Sequence, residues 1–294
     1  MSRSALRAAV FLMAALTVVG CGSPSAPPTP SPPAETTASP PATTTPAPEP
    51  TDEPTPTVSV DSHAPPGWVD LSAVDPTILL DIRYHGSHNF LGRPVAGYLE
   101  PVCVLPEATA QALHRVQLAA LAEGYSLKMY DCYRPARAGA DFVAWRDTPD
   151  EATKAEFYPT LSKADLFRLG FVGGAATSHS SGSAVDLTLV KLPGAPQRAY
   201  VPGEPLVACT APAGQRFPDN SVDMGTGYDC FDSLSHTLDA RVTGAARENR
   251  LRLRRLMEAE GFVNYWAEWW HYDLANPPYP GQYFDFPVAR AALP

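Results

Sequence analysis

Thr177-Ser178-His179-Ser180-Ser181-Gly182-Ser183-Ala184-Val185-Asp186 and, about ninety residues later, Glu268-Trp269-Trp270-His271 carry most of the chemistry in this chain. Ala184 to Val190 reads as a strand by its β-branched and apolar content, with Val185, Leu187 and Leu189 on one face and Asp186 and Thr188 on the other. An aspartate inside such a strand is costly unless it is paired or bound to a metal. Gly182 lets the chain turn between His179 and Asp186. On the first segment alone, a strand aspartate bonded to a turn and an incidental loop histidine would serve equally well. The second segment shifts that balance, because His271 adds a neutral nitrogen ligand and Glu268 places a carboxylate three residues before it. Two imidazoles, one carboxylate as the third ligand, an open fourth position and an adjacent base are the parts of a catalytic zinc site. Tyr265, Trp266, Trp269, Trp270 and Tyr272 are expected to exclude bulk water, or to form an ordinary aromatic core, or both.

Further out, Pro106 to Glu123 reads as a helix, with Leu113, Val116, Ala120 and Leu121 as its apolar stripe and Gly124 as its stop. Ala245 to Glu260 is the clearest helix, closed by Gly261, and its arginines read as a solvated face. Strands are expected at Ile78–Tyr84 and Tyr125–Asp131, with an aromatic-rich pair within Phe262–Asp273. Helical pieces are expected at Asp141–Trp145 and Lys163–Leu169, and a long Gly- and Pro-rich loop at Pro193–Gly227. Helices and strands alternate unevenly, so the fold class is α+β.

The remaining composition divides the chain. Arg3 and Arg7, then an apolar run from Ala8 to Val19, read as an export signal over residues 1–20. Val18-Val19-Gly20-Cys21 resembles a bacterial lipobox, which implies Cys21 as a lipidation site; an ordinary signal peptide with a chance cysteine is the alternative. Residues 21–66 are dominated by Pro, Ser, Thr and Ala and are expected to be a disordered tether, leaving 67–294 as one domain. A formal charge of −9 argues against nucleic acid as a partner. Cys103, Cys132, Cys209 and Cys230 suit two disulfides in an exported protein. Of three connectivities, Cys103–Cys132 with Cys209–Cys230 is favoured because each pair is near in sequence.

The two opening segments resemble the zinc motifs of the D-alanyl-D-alanine dipeptidases, within the zinc D-Ala-D-Ala metallopeptidases that share the hedgehog/DD-peptidase fold. The likeness extends to Tyr84–Gly92, Asp131-Cys132-Tyr133-Arg134-Pro135, Met224–Asp229 and the tail from Pro278 to Pro287, covering about residues 70–288. It implies a central, mainly antiparallel sheet flanked by helices and one Zn²⁺ held by His179, Asp186 and His271. It further implies Glu268 as catalytic base and Arg134 as stabiliser of the oxyanion. Tyr84, Thr177, Ser178 and Asp229 would bind a small D,D-dipeptide. Cys132 stands where the family has Gly, and Thr177 where many relatives have Ser. Rival readings are a D,D-carboxypeptidase on the same scaffold and a non-catalytic, zinc-containing wall-binding domain. With the leader, the resemblance implies a lipoprotein on the outer face of the cell membrane, acting in wall turnover and touching the membrane through its lipid anchor only. His236 is the rival ligand and reads as structural.

Overall fold

The computed structural model describes residues 57–294. The expected export signal, Cys21 and most of the expected tether lie outside the described residues. The last part of the tether segment is ordered, so the expected boundary at residue 66 moves toward the N-terminus. Strand β1 (Thr57–Ser59) pairs in parallel with β9 (Gln282–Phe284), and Ala64 is buried with its N–H bonded to the Ala292 carbonyl at 2.8 Å. Backbone pairing with the C-terminal tail holds this segment, which its composition did not signal.

A central sheet takes the order β3 (Leu79–Leu80), β5 (Tyr125–Asp131), β6 (Ala184–Lys191), β8 (His271–Leu274), β7 (Phe262–Asn264). The β3–β5 pair is parallel and the other three pairings are antiparallel. A separate ladder joins β2 (Trp68–Asp70) to β4 (Val104–Pro106). Helices α1 (Leu71–Val74), α2 (Glu107–Ala122), α3 (Ala136–Arg146), α4 (Lys154–Phe157), α5 (Lys163–Arg168) and α6 (Gly244–Ala259) complete the regular structure. None of the described helices is long and apolar enough to cross a membrane.

Strand β6 is buried from Ala184 to Val190, so both of its faces are covered. Leu113, Val116 and Ala120 of α2, with Leu253, Leu256 and Met257 of α6, pack into one core with Leu127, Met129, Val185 and Leu187. The strand expected at Ile78–Tyr84 shrinks to two paired residues. Arg83–His85 instead form a 3₁₀ turn, because Arg83 is drawn inward by Asp81, His88 and Asp219 at 2.9, 2.9 and 2.7 Å. The arginines of α6 are not all solvated either. Arg250 is fully buried and donates to the carbonyls of Met224, His236 and Leu234 at 2.6, 2.8 and 3.0 Å. It thereby ties the helix to the loop that carries Asp229.

Asp219, in the long loop after β6, holds two buried cations at once: Arg83 at 2.7 Å and Lys128 of β5, with the Tyr130 hydroxyl donating at 2.7 Å. Burial alone would raise its carboxyl, but Arg83 and Lys128 hold it well below the usual carboxylate range. Its stabilising contribution is therefore complete above an unfolded value of about 3.9 and is lost as the pH falls below that. Asp219→Asn is expected to cost about 3 kcal/mol in urea unfolding at pH 7, since it leaves Arg83 and Lys128 to share Asp81 as their one carboxylate. The deficit should shrink as the pH falls below about 4, where the unfolded wild-type chain takes up a proton that the folded one still resists.

Candidate active site

The sheet register brings the proposed ligands together. Asp186 on β6 sits opposite His271 on β8, and Asp131 on β5 sits opposite Asp186 on its other side. His179 comes from the 3₁₀ turn Ser178–Ser181, which delivers the chain into β6. That turn closes on Gly182 at φ +71, a left-handed conformation, where an added Cβ would lie 2.5 Å from Pro106 and 2.6 Å from Trp68. Only glycine fits there.

His179 Nε2, His271 Nδ1 and Asp186 Oδ1 form a triangle with edges of 3.2, 3.0 and 3.4 Å. Four ligands at about 2.0–2.2 Å around a tetrahedral ion would be separated by about 3.3–3.6 Å, so the triangle needs only small adjustments. The outer hydrogen bonds fix the tautomers. His179 Nδ1 donates to the Cys132 carbonyl at 2.8 Å, and His271 Nε2 faces Asp273 Oδ2 at 3.3 Å. Neutral rings so arranged turn both free lone pairs toward Asp186, which suits a cation. Burial works to raise the Asp186 carboxyl, but the two imidazoles hold it far below its usual range. Burial also opposes charge on His271, yet Asp186 and Asp273 push it up to about 10, so a proton competes with a cation for this cluster. His179, Asp186 and His271 are the group of metal-ligating side chains that the described residues assemble.

The cluster opens into a cavity of about 230 Å³ lined also by Tyr84, Arg134, Thr177, Ser178, Asp229 and Glu268. Glu268 is buried, 4.0 Å from His271 Nδ1, and burial pushes its carboxyl up to about 8 despite His271. Arg134 lies between the rings of Tyr84 and Phe142, 5.0 and 5.1 Å from their centroids. Burial opposes its charge, but Asp131 and its neighbours hold the guanidinium well above its ordinary value. Asp229 is buried at φ +51 and accepts from the Tyr84 hydroxyl at 2.8 Å. Burial, with Asp186 nearby, pushes it up to about 8. Thr177 reaches the cavity wall with its hydroxyl buried and unpartnered, and Ser178 lies beside Asp273.

The disulfides join Cys103 to Cys132 and Cys209 to Cys230, each placing one sulfur next to a site segment. His236 is not in the cluster; it packs against Trp266, 4.8 Å between ring centroids. Trp266 itself is 65 % exposed, so it does not shield the site as expected, whereas Tyr265 and Trp270 line the cavity. Three neighbours had no assigned role in the sequence reading. Tyr228 donates to Asp186 Oδ2 at 3.0 Å, Asp131 holds Arg134, and Asp273 faces His271. Asp131 and Tyr228 stood in the family-like segments that carry Arg134 and Asp229, and Asp273 was signalled by its nearness to His271 alone.

A buried His–Asp–His cluster with a carboxylate at its side defines a site able to hold a metal for hydrolysis. The profile of peptidase M15, described as D-Ala-D-Ala dipeptidase, matches residues 65–195 and 218–289, and the chain belongs to this family. It is a peptidase. The chain is 41 % identical over 211 residues to a D-alanyl-D-alanine dipeptidase of Streptomyces coelicolor, covering 71 % of this chain and 92 % of that one. It is 37 % identical over 210 residues to the corresponding protein of Enterococcus faecalis, with 71 % and 92 % covered. An Enterococcus faecium relative of the same description is 34 % identical over 223 residues, with 76 % and 98 % covered.

Proposed function

We propose that this chain hydrolyses D-alanyl-D-alanine, with one zinc ion held by His179, Asp186 and His271. The observation that carries the reading is the buried Asp229 carboxylate, which shares one small cavity with the metal-ligating cluster and has Tyr84 as its hydrogen-bond donor. Bound zinc would act as a Lewis acid and lower the pKa of water to about 7. Glu268 takes the proton of the attacking water and delivers it to the leaving amine as the C–N bond breaks. The Arg134 guanidinium faces the negative charge that develops on the carbonyl oxygen. Asp229, steadied by Tyr84, pairs with the substrate ammonium, while Thr177 and Ser178 line the same binding surface. A cavity of about 230 Å³ is below the ~300–1,000 Å³ of drug-sized sites and suits a ligand of few atoms.

An ammonium-reading carboxylate makes the free amino terminus the mark of a substrate. Asp229→Asn is expected to lower kcat/KM for D-Ala-D-Ala by about 30-fold or more, the equivalent of ~2 kcal/mol for removing one partner of a buried charge pair. Wild-type chain should leave N-acetyl-D-Ala-D-Ala essentially uncut. Comparable rates on the acetylated and free dipeptides would remove Asp229 from this role.

The hedgehog/DD-peptidase likeness and action in wall turnover belong to the same proposal. The sequence at residues 1–21 supports export and a lipid anchor at Cys21, which would put the enzyme outside the cytoplasmic membrane.

A further inference from the structure

We propose that Asp131 is a positioning residue for this hydrolysis. It grips one edge of the Arg134 guanidinium and thereby aims the other nitrogen at the reacting carbonyl. The inference rests on the reading of Arg134 given above.

Asp131 ends β5 where its ladder with β6 changes register, and it faces Asp186 across the pair. It is completely buried. Its Oδ2 accepts from Arg134 Nε at 2.9 Å and from Nη2 at 2.8 Å. Its Oδ1 accepts from the Tyr98 hydroxyl at 2.6 Å, so the carboxylate is itself held from behind. Nη2 also lies 3.5 Å from Asp186 Oδ2. Nε and Nη2 are thus committed to carboxylates, Nη1 takes no part in those pairs, and the residue lines the cavity. An arginine side chain carries about 2 kcal/mol of rotamer entropy, and a planar fork locked on one edge loses that freedom before substrate arrives. Misplacing a catalytic group by about 1 Å can cost ~10²-fold in rate, which sets the scale of the expected effect.

A rival role for Asp131 is to orient His179. Its Oδ2 is 3.5 Å from His179 Nδ1, but that nitrogen already donates to the Cys132 carbonyl at 2.8 Å. Metal retention should therefore survive the loss of Asp131, while turnover should not.

The test measures kcat, KM and bound zinc for D-Ala-D-Ala cleavage in Asp131→Asn, Tyr98→Phe, Arg134→Ala and the Asp131→Asn/Arg134→Ala double variant of the full chain. Asp131→Asn is expected to lower kcat by about 10²-fold, with KM within about 3-fold of wild type and zinc stoichiometry unchanged. Tyr98→Phe should lower kcat by about 3- to 10-fold, because it releases only the rear oxygen. In the Arg134→Ala background Asp131→Asn should add less than about 3-fold, since its target is gone. Multiplying losses in the double variant, a wild-type kcat in Asp131→Asn, or zinc loss from it would each overturn the proposal. If Asp131→Asn does not fold, Tyr98→Phe decides: an unchanged kcat rejects the grip on Arg134. An Arg134→Ala chain with normal kcat would instead sink the underlying reading of Arg134.

Discussion

Replacing Glu268 by glutamine is expected to lower kcat for D-Ala-D-Ala by about 10²–10⁴-fold while KM and bound zinc stay near wild type. The side chain is buried at the cavity wall, 4.0 Å from His271 Nδ1. It lies outside the 3.0–3.4 Å triangle of ligand atoms, so the amide should leave the metal in place. Glutamine keeps the volume and loses the ability to accept and return a proton. The fold should not suffer, because a neutral amide replaces a carboxylate whose burial is unfavourable. Steady-state kinetics, metal analysis and a thermal melt on one preparation check all parts together. A large KM change with normal kcat would make Glu268 a binding residue rather than the base.

The second large effect is expected from metal removal. Dialysis against a chelator should abolish release of D-Ala, and stoichiometric zinc should restore it. His271→Ala should behave like the stripped chain and resist restoration, because Asp186 and His179 alone offer two of the three ligand atoms. The stripped protein should remain folded at 25 °C. Its large core and two disulfides do not depend on the cluster, and each disulfide typically contributes about 2–4 kcal/mol. Circular dichroism before and after chelation separates loss of the site from loss of the fold. Full activity in a chain shown to be free of metal would contradict the assignment of the cluster.

The legible parts of this protein were those governed by local pattern. Period-2 alternation placed Asp186 opposite the apolar face of β6, and a helical stripe closed by glycine located α2 and α6. The spacing of His179, Asp186, Glu268 and His271 likewise pointed to one site, and the structure brings those four side chains to one cavity. What remained hidden was settled by contacts between distant segments. Nothing in the Pro-rich leader distinguishes Thr57–Ser59 from its neighbours until Gln282–Phe284 lies beside it. Arg250 looked like its solvated neighbours because the three carbonyls that bury it come from residues 224–236. Trp266 looked like the flanking aromatics, yet it alone of them turns to solvent. Asp131 and Tyr228 lay inside the segments that resemble the family, but nothing in those segments assigned either side chain a partner. Their importance comes from the cross-strand register and from the loop that folds Tyr228 onto Asp186.

The most direct measurement is the release of free D-alanine by the zinc-loaded full chain from D-Ala-D-Ala and, in parallel, from a wall pentapeptide ending in D-Ala-D-Ala. Cleavage of the dipeptide, with the pentapeptide left intact, is the expected result, since the proposed pairing of Asp229 with a free substrate ammonium would favour the free dipeptide. Release from the pentapeptide at a comparable rate would contradict it and make the chain a carboxypeptidase. Release from neither would contradict the assignment of D-Ala-D-Ala as its substrate.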